Sequence, residues 1–351
     1  MLDLKQINES IPGLDQAAQA AAIDHWNSVA KPIGSLGVLE DIVVQIAGLQ
    51  ASEQVDISKR CVIAMCADNG VVAQGVSQSG PEVTTLIADN MHKNISSVCV
   101  MAKTAGIDVI PVDMGMVTPV EGVRDCHITR GTADMTLGPA MTREQALAAI
   151  QAGIEMVAQA RELGYKLVVS GEMGIGNTTT SSAVASVLLG RSVEEMTGVG
   201  AGLTSTGLAR KIDAIKRAVE LNQPDADDAI DVLAKLGGYD IAGITGLFIG
   251  GALYGIPVLI DGFISAVAAL IAKRVCPACS CAMVATHVSG EPAGESVLAA
   301  LGLTPIISAG MRLGEGTGAV CLVPMLDMAL ALYNGTSFDA IGLEAYEVNP
   351  Q

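Results

Sequence analysis

Aromatic side chains are scarce in this chain. Of 351 residues one is Trp, five are Tyr and three are Phe, 3% in all, although half the chain is hydrophobic. A core must therefore be built from Ala, Val, Ile, Leu and Met. Basic residues are also few: 20 Lys and Arg face 37 Asp and Glu, a formal net charge of −17. No Lys/Arg cluster appears, which disfavours a nucleic-acid partner. An anionic substrate would have to be held by backbone N–H groups and one or two local cations against the overall field. Met1–Ser10 carries charges and lacks the apolar stretch of a signal peptide. Eight cysteines without an export signal read as reduced thiols, so a cytoplasmic location is expected. Cys276, Cys279 and Cys281, with His287 nearby, could hold zinc, but C-x-C is not a usual structural spacing, and buried or idle thiols are expected. His25, His92, His127 and His287 show no metal-ligand spacing. The sequence has no Walker-type phosphate loop, no dinucleotide fingerprint with its ribose-binding acid, and no G-x-S-x-G elbow. Neither a metal nor a cofactor is expected.

What is present is organised around short apolar runs. Val62–Ala67, Val109–Val112, Leu167–Ser170, Pro257–Ile260, Met283–Thr286 and Pro305–Ser308 are continuously apolar, as expected for strands buried on both faces. Each ends in a glycine-containing loop with polar groups, and 39 glycines fit many tight strand-to-helix turns. Helical patterns such as Arg143–Leu163 and Leu208–Leu221 separate most of the runs. The expectation is an α/β, Rossmann-like fold: a mostly parallel six-stranded sheet flanked by helices, with the loops at its carboxyl edge forming the ligand site. Ser35 is a plausible N-cap for a helix Leu36–Leu49, and Val320–Tyr333 reads as another apolar helix. The terminal segments, 1–55 plus 320–351, are expected to form a small helical lobe beside a large α/β catalytic domain, 56–319. Ile241–Ile260 lacks charge over about the length that crosses a bilayer. Its five glycines and Pro257 argue instead for a buried helix followed by a strand.

The segment Leu167–Thr180, LVVSGEMGIGNTTT, carries the strongest signal. Strand, glycine-rich turn and helix start, in that order, aim backbone N–H groups at a phosphate. Gly174, Gly176, Asn177, Thr178 and Thr179 supply flexible backbone, donors and hydroxyls; a plain capped helix is the alternative. Glu172 lies inside this loop. Glu315 stands in GMRLGEGTG, Gly310–Gly318, after the last expected strand. It is either a solvated surface acid or, if partly buried, a general base. Two carboxylates at one edge could divide proton removal from substrate orientation. A second glycine loop, Gly198–Gly207, contains Gly200 and Gly202. It precedes a helix bearing Lys211, which is either a solvated charge or a phosphate partner.

These residues resemble the nicotinate-nucleotide:dimethylbenzimidazole phosphoribosyltransferase family of cobamide assembly. The matching segments are Lys31–Glu40 (KPIGSLGVLE), Asp68–Thr84 (DNGVVAQGVSQSGPEVT), Gly171–Thr179 (GEMGIGNTT) and Met311–Ala319 (MRLGEGTGA), supported by Gly200–Lys211 and Asp261-Gly262. The resemblance implies transfer of the ribose 5-phosphate of nicotinate mononucleotide to an aromatic lower-ligand base. Nicotinate is released and an α-riboside 5′-phosphate forms with inversion. It implies Glu315 as general base and Glu172 beside acceptor and ribose. The Gly174–Thr179 loop would hold phosphate and ribose. Lys211, Asp261, Ser289, Gly290 and Arg312 would complete the nucleotide site, and Met173 and Leu313 would pack on the acceptor. Ser79 keeps its match, whereas Ile87 stands where benzimidazole-using members often have Gln. That departure opens phenol or p-cresol as acceptor, or a non-catalytic sister subunit. His287–Glu295 also departs from the family pattern. The resemblance further implies a dimer, of identical or homologous chains.

Overall fold

The computed structural model describes residues 2–346; Met1 and 347–351, assigned above to the helical lobe, lie outside the described residues. Six strands, β1 (Arg60–Ala67), β2 (Asp108–Gly115), β3 (Arg124–Asp125), β4 (Leu167–Met173), β5 (Val258–Ile260) and β6 (Met283–Ala285), form one sheet in the order β3-β2-β1-β4-β5-β6. Every pairing is parallel. The order runs outward in both directions from the β1/β4 pair, the doubly wound arrangement that opens a crevice at the strands' carboxyl ends.

The sixth strand is not the expected one. Pro305–Ser308 makes only a single parallel bridge, between Ile307 and His287. The chain turns into a loop straight after Thr286, whose carbonyl takes the N–H groups of both Ile306 and Ile307. The missing member is β3, two exposed residues paired with Val112 and Asp113. So short and polar a segment carries no apolar pattern.

Alternation along β1 divides the core. Cys61, Ile63, Met65 and Ala67 face a cluster built with helices Arg143–Glu162, Asn177–Leu189, Tyr239–Tyr254 and Phe263–Val275. Val62, Ala64 and Cys66 face helices Val38–Gln50, Glu82–His92, Ser97–Thr104 and Thr317–Tyr333. The only tryptophan, Trp26, belongs to a third cluster. There helices Gln16–Ser28 and Val38–Gln50 meet the end of Thr317–Tyr333, and Tyr333 stacks edgewise on Trp26 at 4.8 Å. Lys31 lies 4.9 Å above that indole and pairs with Glu40 at 2.8 Å. Ser35 does not cap the following helix. Gly37, at φ 54°, precedes Val38, and Glu40 folds back to accept the Leu36 N–H at 2.9 Å.

The charge-free stretch is a buried helix that ends at Tyr254 and is followed by β5. Among the described residues no helix is long and apolar enough to cross a membrane. Its glycines serve packing. A Cβ on Gly153 would overlap the Gly243 carbonyl, and one on Gly246 would overlap the Ile150 carbonyl. The two helices therefore touch backbone to backbone, an approach that larger side chains forbid. Gly246→Val is expected to lower the urea unfolding midpoint, a loss of about 3 kcal/mol or more; an unchanged midpoint would show the helices free to separate.

Candidate functional site

β4 and β5 end at a cavity of about 260 Å³. Of the residues named from sequence, Ile87, Glu172, Met173, Gly174, Asn177, Thr178, Gly200, Asp261, Ser289, Arg312, Leu313 and Glu315 line it. Ser79, Gly176, Thr179, Gly202, Lys211 and Gly290 are not in its wall. Gly176, at φ 92°, turns the chain into helix Asn177–Leu189, and Thr179 is buried in the first turn. The Gly290 N–H bonds Met311 O at 2.8 Å, joining two loops that reach the cavity. Gly202 accepts the side chain of Gln78, and the Ser79 N–H bonds Ser77 Oγ at 3.2 Å.

The glycine turn works by close approach. A Cβ at Gly174 would come 2.5 Å from Asp240 Oδ2 and 2.6 Å from the Ala67 carbonyl. The helix start is capped by Gly176 without a side-chain bond, so Asn177 and Thr178 are not its caps. Asn177 instead turns inward, donating from Nδ2 to Glu172 Oε2 and to Asp240 Oδ2, the latter at 2.9 Å. Thr178 Oγ1 accepts from the Lys211 ammonium at 2.8 Å, and the Gly198 carbonyl does so at 3.1 Å. Lys211 is buried, and burial lowers its pKa to about 8 against the opposing charge of Glu291. A cation immediately behind a cavity-lining hydroxyl, with neutral oxygens as hydrogen-bond partners, favours an anion in front of it.

Acids line the same cavity. Glu315 is buried and holds φ 64°, between Gly314 at 90° and Gly316 at 92°. Among the described residues, the non-glycine positions with positive φ are Ala51, Asn94, Gln223 and Glu315, and of these only Glu315 lines the cavity. A left-handed non-glycine residue costs of order 1–3 kcal/mol and persists where its surroundings over-determine it. Here the Glu315 N–H points at Glu172 Oε1, 3.4 Å away, while its Oε2 accepts the Val98 N–H at 3.0 Å. Burial raises the Glu315 pKa against the Val98 and Ser96 hydrogen bonds. Burial also pushes Glu172 up to about 8, the charges of Asp240 and Asp261 adding to it and the Asn177 bond opposing. Asp261 accepts the N–H groups of Gly316 and Ala319 at 3.2 and 3.0 Å. Burial raises its pKa, with His287 opposing.

Several site residues escaped the sequence reading. Asp240 is fully buried, its pKa raised to about 6 by burial. His287, Phe263, Ser265, Glu291 and Thr317 also line the cavity. Asp240 had one readable sign, an acid standing directly before a charge-free apolar stretch. Cys276 and Cys279 are buried free thiols, and neither lines the cavity that His287 reaches. Among the described residues no group of three or more His, Cys, Asp or Glu is arranged to hold a metal.

The sequence profile described as Phosphoribosyltransferase matches residues 11–342. A protein named nicotinate-nucleotide–dimethylbenzimidazole phosphoribosyltransferase from Ruminiclostridium cellulolyticum is 45% identical over 335 residues, 94% of this chain and 95% of the relative. One so named from Clostridium acetobutylicum is 42% identical over 350 residues, 99% of each. A crystal structure of such an enzyme from Thermus thermophilus superposes with a TM-score of 0.87 at 34% identity, covering 94% of this chain and 99% of that one. Fold and likeness together define a phosphoribosyltransferase, an enzyme of the glycosyltransferase type. The chain belongs to the nicotinate-nucleotide:dimethylbenzimidazole phosphoribosyltransferase family.

The raised Glu172 pKa makes stability depend on pH. A carboxyl titrating near 8 when folded and at 4.5 ordinarily costs nothing below 4.5, and its cost grows until about pH 8. Glu172→Gln should therefore stabilise the unliganded protein at pH 8 by on the order of 3 kcal/mol, a gain that shrinks towards pH 5. Urea unfolding at both values checks it, and a gain equal at both would refute the assignment.

Proposed function

We propose that this chain transfers the ribose 5-phosphate of nicotinate mononucleotide to 5,6-dimethylbenzimidazole or a related cobamide lower-ligand base. Nicotinate leaves and an α-riboside 5′-phosphate forms with inversion at C1′. The observation that carries this reading is Glu315: a buried carboxylate with a raised pKa, held in a left-handed turn at the cavity wall. A base poised nearer neutrality removes a proton efficiently. In this reading Glu315 takes the proton of one acceptor ring nitrogen while the lone pair of the other attacks C1′. The electrons of the breaking C1′–N bond pass into the pyridinium, which leaves as nicotinate. That leaving group departs without protonation.

The other residues of the site suit the nucleotide. Lys211 with Thr178 supports a phosphate there, Gly174, Gly176, Asn177 and Thr179 the ribose phosphate, and Asp261, Ser289, Gly290 and Arg312 the rest of the nucleotide. Gly200 lies beside Thr178 and Lys211, where a Cβ would come 2.9 Å from the hydroxyl. Glu172 orients rather than deprotonates, since a carboxyl with a pKa near 8 is largely neutral at pH 7. Ile87, Met173 and Leu313 give the acceptor an apolar seat. Ile87 favours a second reading of the acceptor, a phenol such as p-cresol, whose hydroxyl proton the same base would remove.

The test is an assay of nicotinate release and riboside-phosphate formation with nicotinate mononucleotide and a panel of benzimidazoles, purines and phenols. Product from no acceptor would sink the proposal, and the preferred acceptor decides between the two readings. Glu315→Gln is expected to lower kcat at least about 100-fold while nicotinate mononucleotide still raises the melting temperature; a full rate would refute Glu315 as base.

A dimer is proposed as well, paired through the helical segments within 2–55 and 320–346 and through helices Glu82–His92 and Ser97–Thr104. Exposed Leu86, Ile95 and Val100, on and between helices Glu82–His92 and Ser97–Thr104, support it. Sedimentation at assay concentration should give twice the chain mass, and a monomer would reject the pairing.

A further inference from the structure

Asp240 stands in the first turn of the helix Tyr239–Tyr254, is wholly shielded from solvent, and lies outside every motif that pointed to the site. Its Oδ2 accepts from Asn177 Nδ2 at 2.9 Å, and the same nitrogen donates to Glu172 Oε2. An amide nitrogen carries two protons, so both are engaged by carboxyl groups. The amide then has one orientation. Turned over, it would set its carbonyl oxygen against the Asp240 carboxylate, which at pH 7 can only accept. Held as it is, Nδ2 faces inward and Oδ1, which can only accept, is free for the cavity that Asn177 lines.

Asp240 is itself fixed. Its Oδ1 accepts the Ile241 N–H at 3.0 Å, and the Asn69 side chain hydrogen-bonds to it. Gly174 and Gly238 leave the space its carboxyl occupies, for a Cβ on either would collide with it.

We infer that Asp240 is a positioning residue for the transfer: through Asn177 it presents an acceptor oxygen to the sugar hydroxyls of the nucleotide and sets the direction of the Glu172 carboxyl. The inference rests on the reading that nicotinate mononucleotide occupies this cavity. Calorimetric binding of nicotinate mononucleotide tests it without requiring turnover. Asp240→Ala should weaken binding at least tenfold and lower kcat, with a melting temperature close to that of the parent. Asp240→Asn keeps an oxygen that can accept from Asn177 and should recover most of the binding. In an Asn177→Ala background, Asp240→Ala should add less than a twofold change.

Parent-like binding by Asp240→Ala would overturn the inference, as would an equal loss in the Asn177→Ala background or no recovery with Asn at 240. Should Asp240→Ala not fold, Asn177→Asp carries the same test. It sets a carboxylate against that of Asp240 and should weaken binding tenfold, with recovery on adding Asp240→Asn; no recovery overturns the inference. A parent protein that binds the nucleotide but transfers to no acceptor refutes the proposed reaction, and the binding comparison still decides the role of Asp240. A parent that does not bind it refutes both.

Discussion

The carboxylate of Asp261 takes two backbone N–H groups from the start of helix Thr317–Tyr333, those of Gly316 and Ala319. Helix starts present unpaired donors and a positive partial charge, so this acid at the end of β5 is a natural anchor for a helix from a different part of the chain. The loop that carries Glu315 is tied down by that anchor. It draws Gly316 down over β4, and the residue before it, Glu315, has to take a left-handed turn to follow. The resulting fit is tight. A Cβ on Gly171 would come 2.8 Å from the Glu315 carbonyl, and one on Gly314 would come 2.5 Å from Glu172 Oε1. The glycines around these acids are the space that lets two buried carboxyl groups approach within one loop of each other.

The same economy of side-chain bulk runs through the fold. With few aromatics to span gaps, the layers close by bringing backbones together, as Gly153, Gly243 and Gly246 do between two helices behind the sheet. Close-packed interiors of small residues transmit small displacements directly. The buried polar groups of the site thus sit in a frame with little slack, and desolvation raises the pKa values of Glu172, Asp240, Asp261 and Glu315. Mutual repulsion adds to burial at Glu172, where one amide, Asn177, serves two of these acids.

Much of this was readable from residues alone. Continuous apolar runs located five strands of the sheet, because strands covered on both faces leave an unbroken hydrophobic trace. The two-residue strand Arg124–Asp125 left none, and Pro305–Ser308 imitated a strand because its apolar residues pack without a ladder to join. At the site, glycine-rich loops with hydroxyls or acids after strands marked the right places, since glycine there answers a geometric need visible in the sequence. Asp240 and His287 were not legible as site residues. Their position comes from helix packing and loop closure over long stretches of chain, and no local spacing records that. Lys211 was visible as a possible cation, but its burial depends on the Gly198–Gly202 loop folding across it.

That buried lysine has a consequence beyond affinity. Its hydrogen bonds go to a hydroxyl and a carbonyl, and burial holds its pKa far below the ordinary value. A charge on Lys211 therefore sits in an unfavourable setting, which a neighbouring anion would relieve. Binding free energy of that kind adds directly to the stability of the folded state. Resistance to unfolding and to proteolysis would then rise with the concentration of any anion that seats there.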